Sequence, residues 1–364
     1  VLTSLVDLDG WGGARDAPQI WAVICLVLAA AIVGLLLAVR KTSAAEQIAP
    51  PLAAGASGLI SIAIGLLVEP GYYALSAALQ VAGLGLVFWR YRVRTLLYLA
   101  IVYVAAYLGL IVLGHAIAVD FAADVARLPY GNFIPIVALD AAPWLTLIVP
   151  GLALLSGATL FASAVRDRLI GVIDFVGVLV LALGVHLVIA PLAGDDPVRN
   201  VFVYGPLWFP LQLGMAAAAL WGAARFGRHG LGWAGSIVAV LAGLALVRLA
   251  IVPVGDLWPV IEVRGIVVFN LATLTLGLAS ALLLVIGRLM KPAAGEAGRW
   301  VGKGFQALGG ITAFIWMLIV IRHGFHPELL QGETLRVERY GYTGGMLAFA
   351  FGLLWLGTVR DAQA

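Results

Sequence analysis

The run IWAVICLVLAAAIVGLLLAV, Ile20 to Val39, contains no charged residue and is followed at once by Arg40-Lys41. It is as long as an α-helix must be to cross a hydrocarbon core about 30 Å thick. Similar runs recur along the chain without the alternation of barrel strands, so they are expected to be helices. The sequence predicts eleven spans: Ile20–Val39, Leu52–Val68, Tyr72–Trp89, Thr95–Leu113, Trp144–Val165, Leu169–Leu192, Gly205–Ala224, Leu231–Val252, Ile266–Met290, Gly302–Ile321 and Tyr342–Val359.

The composition excludes a water-soluble protein. The chain is 63% hydrophobic and 11% charged, with a mean hydropathy of +1.05, whereas a soluble domain is about half apolar and about a quarter charged. A water-soluble core of 364 residues could not bury so much apolar surface. The sequence contains a single cysteine, Cys25, so no internal disulfide can form. The fold class predicted here is an all-α, polytopic transmembrane helix bundle.

The polar gaps between the spans alternate in charge, and this alternation predicts the topology. One set of gaps holds 14 of the 22 basic residues and 4 acidic residues, a net charge of +10. The other set holds 8 basic and 14 acidic residues, a net charge of −6. The positive-inside rule places the basic set in the cytoplasm, with the N-terminus outside and the C-terminus cytoplasmic. The basic pI of 9.1 therefore reflects topology, and no nucleic-acid partner is expected.

The spans also show an internal periodicity. Three glycines that open spans lie 134 and 136 residues apart, and three arginines that close the same spans lie 135 apart: Gly71, Gly205 and Gly341, then Arg90, Arg225 and Arg360. A repeat of four helices keeps every copy in the same orientation, which predicts parallel repeats. The expected organisation is a two-helix N-terminal flank, two four-helix repeats and the start of a truncated third, over residues 1–70, 71–204, 205–340 and 341–364. We therefore expect the chain to be part of a longer protein.

The last third of the chain is the most distinctive. It contains, in order, Arg264-Gly265, Phe269-Asn270, the element Arg322-His323-Gly324-Phe325-His326, Glu338 with Tyr340 or Tyr342, and Leu354-Trp355-Leu356-Gly357. In this respect the chain resembles a bacterial family of predicted membrane proteins, domain of unknown function 2339. The resemblance implies a multi-helix protein of the bacterial inner membrane and no particular activity. The chain departs from the family at Gln80, where members often have a glutamate.

Few ionisable or amide side chains lie within or beside the spans, and such residues are candidates for function. As ligand-binding candidates the sequence offers Arg248, Arg264, Asn270, Arg322, His323 and Glu338, and as intramembrane polar residues Asp174 and His186. Each has a structural alternative. Arg248 could extend to the interface or pair with a carboxylate, Asp174 could pair with Arg166 or Arg168 instead of relaying protons, and His186 could simply be packed and hydrogen-bonded.

The polar segment from Arg322 to Arg339 admits several interpretations. His323 and His326 share a helix face, and with Glu328 they could approach a metal ion, but no further ligand has the spacing of a zinc site. We therefore expect no metal and no cofactor there. A helix end with charge pairs, or a site for an anion or a lipid headgroup, are the alternatives.

Three classes of function remain open. The first is binding or transport of an envelope lipid or glycan near the outer face, with membrane lipids as partners. The second is a membrane-embedded transferase that uses carboxylates of the loop His115–Pro143. The third is a non-catalytic scaffold. The chain has no phosphate-binding loop, nucleophile elbow, zinc-protease motif or dinucleotide fingerprint, so soluble-type ATPase, hydrolase and dehydrogenase chemistry is unsupported.

Overall fold

The computed structural model describes residues 18–39, 45–69, 72–115, 143–189, 192, 201–248, 270–293, 295–326 and 334–361. These residues form eleven α-helices, as the eleven apolar runs predict. In chain order they are α1 Pro18–Val39, α2 Ala45–Leu67, α3 Tyr73–Tyr91, α4 Thr95–His115, α5 Val149–Ala162, α6 Arg168–Ile189, α7 Val201–Phe226, α8 His229–Leu246, α9 Leu278–Ala293, α10 Gly295–Phe325 and α11 Arg336–Asp361.

Nine stretches within the described residues are long and apolar enough to cross a membrane. They lie in α1, α2, α3, α6, α7, α8 and α10, and in α5 and α9 together with the π-helical turns that precede them. Helix α4 is apolar over the shorter stretch Thr95–Ile111. The predicted all-α membrane bundle is therefore confirmed, whereas two of the eleven predicted spans stay predictions.

Several predicted helix ends were misplaced. Helix α10 extends beyond the predicted span Gly302–Ile321 at both ends, to Gly295 and Phe325. Helix α5 ends at Ala162, before the predicted Val165. An apolar run indicates the part of a helix that would lie in lipid. The helix itself continues into polar residues as long as its backbone hydrogen bonds continue.

The chain divides into two compact units, of which the first comprises residues 1–119 and 138–181. In this unit α1 packs against α2, and α3 packs against both α4 and α5. The α3–α5 contact depends on two glycines, because a Cβ on Gly85 would lie 2.9 Å from the carbonyl oxygen of Gly157. Small residues let helices approach this closely in lipid, where van der Waals contact replaces the hydrophobic effect.

The second unit comprises residues 120–137 and 182–364. Here α7 packs against α8 and α9, and α10 packs against α9 and α11. Two glycines of α11 face α10 closely: a Cβ on Gly345 would lie 2.6 Å from Ile321, and one on Gly341 would lie 3.2 Å from the same side chain. This close packing brings the C-terminal end of α10 beside the first turns of α11.

Two π-helical turns, Trp144–Ile148 and Thr273–Gly277, lead directly into α5 and α9. Both contain the tripeptide Leu-Thr-Leu. Pro150 lies in the first turn of α5, directly after the first of these π-helical turns. The irregular backbone at this point is the π-helical turn itself, and such turns are a recognised cause of helix bending.

Candidate functional site

Four groups, from α10, α11 and the residues directly after α10 and before α11, meet around one carboxylate. Arg322 Nη1 donates to Glu338 Oε1 at 2.7 Å, and the Tyr342 hydroxyl donates to the same oxygen at 2.9 Å. The backbone N–H of Leu335 donates to Oε2 at 3.1 Å, and His326 Nε2 lies 3.2 Å from Oε2. An ionised carboxylate only accepts, so the ring proton belongs on Nε2. We call these residues the Glu338 cluster.

The Glu338 cluster is withdrawn from solvent. Glu338 is 0% exposed and Arg322 is 5% exposed, while His323, one residue further along α10, is 1% exposed. Burying a charge is costly unless it is paired and hydrogen-bonded, and Glu338 meets both conditions. Burial alone raises the pKa of the Glu338 carboxyl, but the hydrogen bonds from Arg322, Tyr342, the Leu335 N–H and His326 together hold that pKa below its ordinary value of 4.5. The carboxylate is therefore ionised at neutral pH.

Glu338 also caps its own helix. It lies in the first turn of α11, and its side chain reaches back to the backbone N–H of Leu335, the residue before the helix. This is the acidic half of a capping box, and a negative charge in this position interacts favourably with the helix dipole. One side chain thus starts α11 and joins it to α10.

A cavity of about 400 Å³ adjoins the Glu338 cluster between α10 and α11. Such a volume lies within the usual range for small-molecule sites. Among the described residues its walls are Phe314, Leu318, Arg322, Thr334, Tyr342 and Met346. Arg322 and Tyr342 thus belong to both the cluster and the cavity, and the cavity is apolar elsewhere except at Thr334. We call this space the α10–α11 cavity.

The structure brings together two of the six ligand-binding candidates, Arg322 and Glu338, and places His323 next to them along α10. Two cluster residues, His326 and Tyr342, were missing from the candidate set. The signal for both was in the sequence, because His326 lies four residues after Arg322 and Tyr342 lies four residues after Glu338. Residues at this spacing share a helix face.

Asn270 lies elsewhere in the second unit, at the second π-helical turn. Its Oδ1 accepts hydrogen bonds from the Thr273 backbone N–H at 2.8 Å and from the Thr273 hydroxyl at 3.1 Å. Trp316 of α10 donates its indole N–H to the same hydroxyl at 3.0 Å. Asn270 therefore caps the turn and joins it to α10, and its assignment as a ligand contact remains a prediction.

The two intramembrane candidates both lie in α6, where Asp174 is buried and His186 is half-buried. His186 Nδ1 accepts a hydrogen bond of 2.9 Å from the indole N–H of Trp208, and the two rings meet edge to face. Asp174 is 0% exposed, while Arg166 and Arg168 are exposed. Whether Asp174 takes part in proton relay stays a prediction.

Two ligand-binding candidates remain. Arg248 is half-buried, two residues beyond α8, and Arg264 lies outside the described residues. The acidic residues of the loop His115–Pro143 and Glu328 also lie outside them. Where the structure describes the chain, no three histidine, cysteine or acidic side chains are grouped so as to hold a metal ion.

A second polar cluster, which we did not predict, lies in the first unit. The Tyr103 hydroxyl is 2.7 Å from Ser57 Oγ and 2.6 Å from Ser61 Oγ, and the Ser61 hydroxyl donates to Gln80 Oε1 at 3.1 Å. The cluster links α2, α3 and α4. Serine, tyrosine and glutamine inside apolar spans commonly join helices in this way.

The described residues form a helical bundle with nine candidate spans and two polar clusters, which defines a multi-pass α-helical membrane protein. More particularly, the chain belongs to the family described as Predicted membrane protein (DUF2339), whose model matches residues 2–364. The family resemblance noted in the sequence is thereby confirmed over nearly the whole chain. Comparisons with curated proteins and with solved structures gave no significant match.

Proposed function

We propose that this protein binds an amphiphilic molecule of the bacterial envelope, a lipid or a lipid-linked glycan, in the α10–α11 cavity. One observation supports this proposal above others. The cavity is lined by Phe314, Leu318 and Met346 along its apolar part and by Arg322 and Tyr342 at its polar part. A molecule with a chain and a headgroup matches both parts, since apolar walls with a few placed polar groups are typical of ligand sites.

The proposed parallel repeats make the Glu338 cluster more informative. Phe175 and Phe305 are 130 residues apart, and Gly205 and Gly341 are 136 apart. With these spacings, Arg322 corresponds to Leu192 and Glu338 corresponds to Phe202. The earlier copy is thus apolar at both corresponding positions. A charged pair that the repeat does not carry at the same positions favours a specialised role.

The proposed topology determines which side of the membrane the ligand would approach. The polar segment around Arg322 and Glu338 belongs to the set of gaps with a net charge of −6, which the positive-inside rule assigns to the outer face of the inner membrane. The ligand would therefore be an envelope molecule of the outer leaflet. Of the binding or transport hypothesis, the cavity supports binding. Transport would require a second open conformation as well.

The two alternative functions have less support. A transferase would depend on the carboxylates of the loop His115–Pro143, which lie outside the described residues. Glu338 is poorly suited to act as a base, because both its oxygens already accept two hydrogen bonds. A pure scaffold would not need a cavity whose polar part is formed by a buried arginine.

The test is to fill the cavity. We expect Leu318→Trp to occupy the apolar part and to reduce the amount of amphiphile that remains bound after purification in mild detergent. Native mass spectrometry of the intact protein measures this amount directly. Ile311→Trp is the matched control, because Ile311 lies on the same helix, is 52% exposed and does not line the cavity.

The two tryptophan variants must differ for the proposal to stand. We expect Ile311→Trp to retain bound amphiphile at the wild-type level, since it adds the same side chain to an outward face. Equal retention by both variants, with both proteins folded, would show that the bound molecules lie elsewhere. The proposed site would then be wrong.

A further inference from the structure

We infer that the α10–α11 cavity selects an amphiphile with an acidic headgroup, a phosphodiester or a carboxylate, and that Arg322 contacts that headgroup. The inference rests on the proposed function and adds the chemical class of the ligand. Among the described residues that line the cavity, Arg322 is the one with a charged side chain. The guanidinium offers five donors in a fixed fork, a geometry suited to carboxylate and phosphate oxygens.

Glu338, the partner of Arg322, does not oppose this preference for an acidic headgroup, because it does not line the cavity. Glu338 is absent from the described lining, and its two oxygens already accept hydrogen bonds from Arg322, Tyr342, Leu335 and His326. Among the described lining residues a ligand therefore meets Arg322 and no carboxylate. The oxygens of an acidic headgroup can accept from Arg322, whereas a cationic headgroup finds no anionic partner in this described lining.

Glu338 acts on the ligand through Arg322, as a positioning residue. Its Oε1 accepts hydrogen bonds from both Arg322 and Tyr342, so Glu338 fixes the two side chains that form the polar part of the cavity. The Tyr342 hydroxyl donates to Glu338 and is also hydrogen-bonded with Arg322, so the three side chains hold one another in place. Thr334, at the same cavity, offers a hydroxyl that can donate to a headgroup oxygen.

The source of the acidic group is a lipid and not a free anion. Phe314, Leu318 and Met346 supply an apolar wall next to Arg322, and inorganic phosphate gains nothing from such a wall. An acyl or isoprenyl chain would bury apolar surface there. Free phosphate is therefore expected to compete poorly, even though its oxygens have the same chemistry as a phosphodiester.

The experiment compares two lipids with identical chains. Delipidated protein is mixed with equal amounts of phosphatidylglycerol and diacylglycerol, which lacks the phosphodiester, and the bound lipid is counted by native mass spectrometry. A hydrogen bond to a charged group contributes about 1.5–3 kcal/mol, which corresponds to a preference on the order of tenfold or more for phosphatidylglycerol. A ratio near one in the wild-type protein would overturn the inference.

The informative variant replaces the ion pair with two amides. Arg322→Gln combined with Glu338→Gln leaves no buried charge without a partner, and we expect it to lose the headgroup preference while it still binds lipid. Arg322→Lys is a second variant that keeps the charge but loses the fork, with an expected severalfold smaller ratio. The control is Arg339→Gln, an exposed cation of α11 outside the cavity, which should keep the wild-type ratio.

Four outcomes separate the possibilities. If Arg339→Gln lost the headgroup preference to the same extent, that preference would come from general surface charge, and the inference would be overturned. Displacement of phosphatidylglycerol by excess inorganic phosphate would indicate a free-anion site and would also overturn it. Lipid binding that is sensitive to Leu318→Trp but has no headgroup preference would leave the proposed function standing without this inference, whereas binding insensitive to Leu318→Trp would remove both.

Discussion

Glu338 combines three roles that proteins usually divide among several residues. It neutralises Arg322, caps the start of α11 and, through Arg322 and Tyr342, shapes a cavity wall. Breaking a buried ion pair by removing one partner costs more than the pair contributes, because the remaining charge stays buried. The identity of this one residue therefore affects both the stability of the α10–α11 pair and the form of the proposed site.

The charge of Glu338 makes part of the stability dependent on pH. Glu338 precedes the predicted span Tyr342–Val359, and its folded-state pKa lies below 4.5. A depressed carboxyl pKa contributes stability that is present above the unfolded-state value and is lost as the pH falls through the folded-state value. We expect Glu338→Gln to lower stability by about 3 kcal/mol at neutral pH, and the difference from wild type to shrink below pH 4.5.

Thermal unfolding in detergent at a series of pH values measures this difference. The side chains that face Glu338 are Arg322 of α10, His326 directly after α10 and Tyr342 of α11, and all three are retained in Glu338→Gln. Arg339→Gln serves as the control, since an exposed substitution one residue away should change stability by no more than about 0.5 kcal/mol. A gap between wild type and Glu338→Gln that stays constant under acid would contradict the predicted role of the charge.

At the scale of the helix, glycines determine how closely neighbours approach. A Cβ on Gly302 of α10 would lie 2.6 Å from the carbonyl oxygen of Gly287 in α9, whereas a Cβ on Gly304 would meet nothing within 4 Å. We expect Gly302→Ala to destabilise the protein by about 1–3 kcal/mol, because the backbones must move apart. Gly304→Ala, two residues away, should be neutral or stabilising by up to about 1 kcal/mol, since alanine favours a helix.

One result would contradict the prediction for these two alanine variants. Both lie on the same helix and add the same methyl group, so a difference in melting temperature reports the α9–α10 contact. Equal melting temperatures would mean that this glycine contact does not set the distance between the helices. The sequence alone offers no way to rank Gly302 and Gly304, because both lie in the same apolar span.

The helices themselves were largely predictable, and the reason is physical. In lipid every backbone N–H and C=O must be hydrogen-bonded within the segment, so an apolar run of sufficient length forms a helix. The π-helical turn at Thr273–Gly277 was not predictable in this way. It depends on packing, since the indole of Trp316 lies 3.1 Å from the position a Cβ would take on Gly277 and its N–H donates to Thr273.

The candidate site was predictable in part. Arg322 and Glu338 stand out because charged residues are rare in this chain. Their pairing could not be predicted, because the length of the segment between them does not determine which charged residue each one contacts. Tyr342 was hidden by its type, since a tyrosine beside a span is usually an interfacial anchor. Its contact with Glu338 depends on their spacing along α11, and that spacing is informative only when the helix is known to begin at Arg336.

For the whole molecule, the charge asymmetry of the gaps predicts the topology that the proposed function requires. The net charges of +10 and −6 put Asp167 on the cytoplasmic side and Arg336 outside. With Cys25→Ala as background, Asp167→Cys and Arg336→Cys each introduce one exposed thiol. We expect a membrane-impermeant maleimide to label intact spheroplasts only at Arg336→Cys, and to label Asp167→Cys only after lysis. The reverse pattern would place the Glu338 cluster on the cytoplasmic face, and the ligand would then have to come from the inner leaflet.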